Sequence, residues 1–353
     1  MTTSSFTQQL LTWFELHGRH DLPWQQDRSP YRIWISEVML QQTQVATVIP
    51  YFLRFTKRFP DLPTLAATSV DEVLSLWSGL GYYARARHLH ETARQVVANY
   101  RGELPQSLSA LQGLPGLGRS TAAAILALAW DQPQAILDGN VKRVLTRYRA
   151  LPGWPGLSKV NEQLWEIAEA FTPSQRVADY TQAIMDLGAT LCTRTHPACH
   201  RCPVREGCLA LRMGDPTAYP HPSPRKILPI RRQWFLILLN EDGAVWLERR
   251  PPSGVWGGLW SLPACDWQED PMAWLTRQYG FQGKFLSHWS VLRHSFSHFH
   301  LDIYPWLGRW QGNATSVLEG KDAVWYKLTD TPPGGMATPV THLLGQIINY
   351  LGD

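Results

Sequence analysis

Leu114-Pro115-Gly116-Leu117-Gly118-Arg119-Ser120 decides how the first half of the chain is read. It ends one apolar-periodic stretch and opens another, Ser120–Trp130. Gly116 and Gly118 let the backbone turn tightly and come close to a ligand. The helix that follows offers free N–H groups and the positive end of its dipole, which together suit a phosphate. An ordinary helix–helix turn would also use Leu-Pro-Gly. The surroundings add weight to the ligand reading: residues 82–150 carry nine Lys+Arg against four Asp+Glu, a balance that neutralises nucleic-acid phosphates and releases counterions. Eighteen residues after Ser120, Asp138 opens the next helical pattern, Val141–Arg149. Taken alone, that aspartate reads as a helix N-cap.

Working outward, helical signals continue on both sides. Ser29-Pro30 pairs a capping serine with a proline at the first helical position. Ser69 and Glu72 have capping-box spacing ahead of Val73, Leu74 and Trp77. Arg87–Tyr100 and Leu157–Phe171 also have helical periodicity, so residues 1–225 are expected to be mostly α. Asp215–Pro229 holds five prolines and reads as a semi-extended linker. Beyond it the period changes. Trp234–Leu239 and Ala244–Glu248 are short β-rich runs around Asp242-Gly243, a hairpin signal. Ser295–Tyr304 and Val324–Leu328 are further strand candidates, and Pro271–Tyr279 and Val340–Tyr350 read as helices. The expectation is a multidomain chain, an all-α domain followed by a compact α/β domain.

Charge and tryptophan separate the same two parts. Residues 1–225 hold 22 Lys+Arg and 18 Asp+Glu, whereas residues 226–353 hold 11 of each. Seven tryptophans lie in the first part and ten in the second. The net +4 therefore sits in the helical part, where an acidic partner would bind. The longest apolar run, Ala122–Trp130, has nine residues, far short of the ~20 of a membrane helix, and the first residues have no signal-peptide pattern.

Four of the five cysteines fall within 17 residues as Cys192-x6-Cys199-x2-Cys202-x5-Cys208. Short spacers let four thiolates converge on one metal centre. Disulfides fit poorly, since nothing else in the sequence indicates secretion. Zinc sites usually pair two short knuckles, and only one spacer here is that short, so the spacing favours a 4Fe-4S cluster over zinc. Cys265 stands apart and reads as a small buried residue.

The order of helix, LPGLG hairpin, helix, aspartate and four-cysteine loop resembles the helix-hairpin-helix DNA glycosylases that carry an iron–sulfur cluster. That superfamily includes endonuclease III-like enzymes and MutY-type adenine glycosylases, and the resemblance covers roughly residues 5–212. It implies an all-α glycosylase domain over residues 1–214, with a six-helix part at about 22–132 and an iron–sulfur part formed by 1–21 and 133–214. A linker at 215–230 and a Nudix-like lesion-recognition domain at 231–353 would follow. It further implies a monomer acting in the cytoplasm, bacterial in type and nucleoid-associated, on double-stranded DNA with A:8-oxoguanine or A:G mispairs.

Two features separate the family's branches. Endonuclease III-like enzymes place a nucleophilic lysine after the hairpin arginine; here Ser120 stands there, so a lysine-type lyase is not expected. Ser36-Glu37-Val38-Met39-Leu40-Gln41-Gln42-Thr43-Gln44-Val45 looks like the MutY-type motif. Glu37 lies among Trp34, Ile35, Val38 and Met39, surroundings that raise a carboxyl's pKa and suit a general acid. The resemblance makes Glu37 the acid and Asp138 the ionised stabiliser of an oxocarbenium-like sugar, with Asn140 orienting water and sugar. Gln42 and Thr43 would probe the base pair, and Leu80 and Tyr82 of Gly79-Leu80-Gly81-Tyr82-Tyr83 would insert beside the target. One of Tyr82 and Tyr83 is expected to be core. Gly116, Gly118, Ser120, Lys142 and Arg194 would contact the DNA. Between Cys192 and Cys199, His196 and Ala198 stand where more lysine or arginine is expected, which would weaken that contact.

The C-terminal part carries Trp256-Gly257-Gly258-Leu259-Trp260-Ser261-Leu262-Pro263 and Arg293-His294-Ser295-Phe296-Ser297-His298-Phe299-His300. Both resemble the C-terminal domain of MutY-type enzymes, which is similar to the Nudix hydrolase that removes 8-oxo-dGTP. No Arg-Glu…Glu-Glu run follows Gly258, so pyrophosphatase activity is not expected. Phe296, Ser297 and His298 are the expected contacts to 8-oxoguanine, with Ser297 hydrogen-bonding the lesion. The rivals are an endonuclease III-like glycosylase/lyase for oxidised pyrimidines and a non-catalytic DNA-binding iron–sulfur protein. The first is disfavoured by Ser120, the second by the presence of both Glu37 and Asp138.

Overall fold

The structure is a computed structural model that describes residues 3–224, 227–311 and 322–352. Arg225 and Lys226, near the end of the expected linker, lie outside the described residues. Packing divides the chain into two units, Met1–Ala67 with His88–Arg225 and Thr68–Arg87 with Lys226–Asp353. The sequence reading assigns 68–87 to the helical domain; in the structure this stretch groups with the C-terminal residues. Its capping box and apolar spacing define a helix, Val70–Trp77, but say nothing of which core that helix joins.

The first unit is helical, and among the described residues no strand precedes Ile230. Ser29 Oγ accepts the Arg32 N–H at 3.3 Å and starts the helix Pro30–Leu40, which buries Ile33, Trp34, Ile35, Val38 and Met39. Helix Arg119–Trp130 begins at Gly118 and buries every residue from Ala122 to Ala127. Its small side chains let helices Pro30–Leu40 and Val177–Asp186 pack closely on it. Helix Gly139–Arg149 begins at Asp138, whose Oδ1 accepts the Val141 N–H at 2.7 Å. Phe6, Leu10 and Phe14 of the N-terminal helix Thr3–His17 join one core with Tyr148, Phe171 and Leu187. At helix Val70–Trp77, Ser69 Oγ accepts the Glu72 N–H at 3.3 Å, and the Glu72 carboxylate accepts from Thr68 Oγ1.

Among the described residues of the second unit, eight strands form one mixed sheet. They are β1 (Ile230–Leu239), β2 (Val245–Arg249), β3 (Trp260–Ser261), β4 (Ala264–Asp266), β5 (Gly283–His288), β6 (Leu292–Ser295), β7 (His300–Trp310) and β8 (Ala323–Tyr326). The order is β3-β2-β1-β7-β5, with β4 on β1, β6 on β7 and β8 on β2. β1 and β7 run parallel from Ile230↔His300 to Leu239↔Arg309. Phe235–Leu239 of β1 are all buried beside the mostly buried β7, which explains that unbroken apolar run. Helix Pro271–Tyr279 contributes Leu275 to a core with Leu236, Trp246, Trp306 and Trp310. Much of the tryptophan excess is therefore core.

One strand expectation changes. Ser295–Tyr304 is not continuous: β6 and β7 are antiparallel neighbours, and the Phe296 N–H donates to the Phe299 carbonyl at 2.9 Å across the reversal. The phenylalanine rings stack at 4.5 Å with 20° between planes, so apolar residues recur through the tip and mask the turn. No helix among the described residues is long and apolar enough to cross a membrane.

Candidate active site

The helical unit contains a cleft of about 870 Å³, within the size of ligand pockets generally. Glu37, Asp138 and Asn140 line it, together with Gln42, Thr43, Ser120 and Arg194. These residues come from helix Pro30–Leu40, the turn after it, the starts of two further helices and the cysteine loop. Arg19, Trp24 and Gln182 also line the cleft, and nothing in their local sequence marks them for it. Arg19 is held by Asp186, which accepts its backbone N–H at 2.8 Å and its Nε–H at 2.9 Å, and Gln182 Nε2 donates to Asp186 at 2.8 Å.

The two carboxyls sit in different environments. Burial pushes Glu37 up to about 8, and the neighbouring Asp138 charge adds to the rise. Burial also raises Asp138, but it is opposed by hydrogen bonds from Val141 and Asn140 and by the Arg143 charge. Asp138 Oδ1 caps the helix, and Oδ2 accepts from Asn140 Nδ2 at 3.3 Å. The Asn140 amide is oriented from its other side, where Oδ1 accepts from Arg143 Nη2 at 2.8 Å. Glu37 is therefore neutral near pH 7, and Asp138 is the carboxyl with donors to support its charge.

Ser120, the first turn's second residue in helix Arg119–Trp130, accepts the Leu137 N–H at 2.9 Å through its hydroxyl. That bond fixes the residue just before Asp138. The hairpin itself is anchored by Thr92 Oγ1, which donates to the Pro115 carbonyl at 2.9 Å. Gln41 Nε2 reaches Thr121 Oγ1 at 3.2 Å. Gly116 has φ +76°, and a Cβ there would come within 2.9 Å of His88 Cβ, so both backbone and space demand glycine. Gly118 has open space around it and serves as the N-cap of the following helix. Gln42 also sits in the left-handed region, φ 57°, at the turn that presents it to the cleft. Lys142 is half-buried on its helix and does not line the cleft; burial lowers its pKa and the Asp138 charge raises it.

Cys192, Cys199, Cys202 and Cys208 line one pocket with Leu191, Pro197 and Arg147. Among the described residues no set of three or more His, Cys, Asp or Glu forms a metal-ion site. All four thiols are free and face the same apolar hollow, a donor set that suits a sulfur-bound centre. Burial pushes the Cys202 thiol up to about 12. Arg147, 2% exposed, organises the loop: it donates to Cys192 Sγ at 3.3 Å, Thr193 O at 2.7 Å and Arg194 O at 2.8 Å. One turn back, Arg143 donates to Cys192 O and Gly188 O, each at 2.7 Å. The two arginines escaped the sequence reading. Their spacing of four on a helix bordering the cysteines was the available signal.

The remaining expected site residues lie in the second unit. Leu80 is buried and Tyr82 is 51% exposed with φ 49°, while Tyr83 is buried. Ser297 and His298 are exposed at the β6–β7 tip, with Ser297 Oγ 3.4 Å from His298 Nδ1. Phe296 is half-buried between Phe299 and Trp256, and Phe299 is core. The structure thus assembles the two carboxyls, Asn140 and the Gln42-Thr43 turn in one cleft, the cysteines in a second pocket, and the lesion-contact candidates on a separate unit.

Two family profiles match the chain, and the first of them spans Thr68–Arg87 as well. The profile of the HhH-GPD superfamily base excision DNA repair proteins matches residues 35–170, and that of the NUDIX domain matches residues 234–346. The chain is 37% identical to the adenine DNA glycosylase of Buchnera aphidicola subsp. Schizaphis graminum, over 98% of this chain and 99% of that protein. It is 35% identical to the human adenine DNA glycosylase, over 94% of this chain and 69% of the human protein. Among solved structures, a thermostable thymine-DNA glycosylase is similar over 60% of this chain and 97% of its own, with TM-score 0.55 and 30% identity. An endonuclease III in a non-covalent DNA complex shares the fold at TM-score 0.51 and 21% identity. By near full-length identity, by both domain matches and by fold, the chain belongs to the adenine DNA glycosylase family of base-excision repair.

Proposed function

We propose that this protein hydrolyses the N-glycosidic bond of adenine mispaired with 8-oxoguanine or guanine in duplex DNA, without a lysine-type lyase step. The observation that carries the reading is the cleft that unites a half-buried Glu37, held neutral by its desolvated surroundings, with a hydrogen-bonded Asp138. Adenine flipped from the duplex enters the cleft. Glu37 gives its proton to the base, at N7, and the C1′–N9 bond breaks with its electron pair leaving on adenine. The Asp138 carboxylate stabilises the oxocarbenium-like sugar. Water held by Asn140 adds to C1′ and returns a proton to Glu37, leaving an abasic site. Ser120 offers a hydroxyl where a lyase needs an amine, and its oxygen is committed to the Leu137 N–H.

The four cysteines would hold a 4Fe-4S cluster, which supplies a rigid, charged anchor for the loop carrying Arg194. Arg147 and Arg143 tie that loop to Asn140. Ser297 and His298 at the β6–β7 tip would read 8-oxoguanine. Gly116, Gly118 and Lys142 would contact phosphates, and Leu80 and Tyr82 would act as the wedge. Single-turnover assays on A:8-oxoguanine, A:G, A:T and thymine-glycol duplexes test the reading. Excision from the first two is expected; excision only from A:T or thymine glycol, or none, contradicts it. The purified protein is expected to be brown, with iron and acid-labile sulfide in equal amounts. A colourless protein with stoichiometric zinc would overturn the cluster.

A further inference from the structure

The stretch Thr68–Arg87 carries Leu80 and Tyr82 yet packs with the C-terminal residues. Helix Val70–Trp77 lies on the turn that contains Gly334 and Gly335. A Cβ on Gly335 would meet the Leu74 carbonyl oxygen at 2.6 Å, so only glycine lets the helix sit there. Beyond the helix, the Met336 carbonyl accepts two hydrogen bonds, from Ser78 Oγ at 3.1 Å and Tyr83 OH at 2.8 Å. These hydroxyls bracket Gly79–Tyr82. Asp71 pairs with Arg249 of β2 at 2.6 Å. Arg87 Nη1 donates to the Gly257 carbonyl at 2.6 Å, inside the Trp-Gly-Gly-Leu-Trp motif, and Gly258 lies against Leu74 and Arg87.

The bracketed loop is strained. Tyr82 has φ 49°, a backbone state unfavourable for a bulky residue that persists only where its surroundings enforce it. The enforcing bonds are visible: Tyr83 OH accepts the Gly79 N–H at 3.2 Å while donating to Met336, and Trp77 Nε1 and Arg85 Nη2 donate to Gly81 O at 3.1 and 3.2 Å. With these in place Tyr82 projects into solvent while Tyr83 is core.

We propose that the two glycine turns of the C-terminal unit, at Gly257-Gly258 and at Gly334-Gly335, form a cradle that holds the wedge's Tyr82 in its strained, exposed form. Ser78, Tyr83 and the Asp71–Arg249 pair are positioning residues for base extrusion. The unit that reads the partner base then also sets the side chain that separates the pair. This rests on the reading of Leu80 and Tyr82 as the wedge.

The test uses the full chain and an A:8-oxoguanine duplex with 2-aminopurine beside the target adenine. Its fluorescence follows unstacking, and adenine release is measured in single turnover. Tyr83→Phe, Asp71→Arg and Arg249→Asp are each expected to slow unstacking about fivefold or more, the scale of one lost hydrogen bond or ion pair, with duplex affinity little changed. The Asp71→Arg/Arg249→Asp double variant is expected to recover part of the unstacking rate, short of full recovery because Asp322, 3.1 Å from Arg249 Nε, would face the new Asp at 249; a merely misfolded protein would recover none. Tyr82→Ala is the wedge control and is expected to slow unstacking as well. Normal unstacking in Tyr83→Phe and both charge reversals, beside a slow Tyr82→Ala, overturns the cradle alone. Normal unstacking in Tyr82→Ala removes the wedge reading and the cradle with it.

Discussion

Glu37→Gln is expected to lower single-turnover adenine excision by about 10²–10⁴-fold, the range a positioned general acid contributes. Duplex affinity should hold. Glutamine matches the shape of the neutral carboxyl, so the cleft stays packed, but it has no acidic proton to give. Burial is the main reason Glu37 is protonated near neutral pH, and the Asp138 charge reinforces it. Removing the carboxyl therefore removes the chemistry without exposing an unpaired charge. Excision at near-normal rate by a variant that binds duplex normally would mean another group protonates the base.

Asp138→Asn separates two roles that one side chain holds. Asparagine caps a helix about as well as aspartate, so the helix Gly139–Arg149 and the melting temperature should change little. The negative charge facing the sugar is lost, and excision is expected to fall about 10²–10³-fold, as when one preorganised electrostatic group is removed from an active site. Thermal melting beside single-turnover rates checks both halves. A large drop in melting temperature with a small drop in rate would make Asp138 chiefly a cap.

The sequence was most informative where one residue type has few uses. The hairpin was legible because Gly116 must be glycine on two grounds, backbone angle and the approach of His88. The helix starts at Ser29 and Asp138 were legible because short polar side chains satisfy free N–H groups there. Glu37 could be singled out because its neighbours along one helix are apolar, and burial in the structure has the effect their chemistry implies.

Other features were hidden for physical reasons. Arg19, Trp24 and Gln182 reach the cleft from distant parts of the chain, and only tertiary packing brings them together. Arg143 and Arg147 look like solvated helix cations until the cysteine loop covers them. The β6–β7 reversal was masked because Phe296 and Phe299 stack across it. The alliance of Thr68–Arg87 with the C-terminal residues depends on one carbonyl and two glycine turns far away in sequence.

The pH dependence of single-turnover excision in the wild-type chain tests the central claim, a neutral Glu37 beside a charged Asp138, most directly. Glu37 must be protonated, so the rate should fall about tenfold per pH unit above its pKa of about 8. Asp138 must be ionised, so the rate should also fall on the acid side, at a pH above the ordinary aspartate range because burial raises that group. The expected profile is a plateau near neutrality with both limbs. A rate that stays flat or rises as pH passes well beyond 8 would contradict the assignment of Glu37 as the acid.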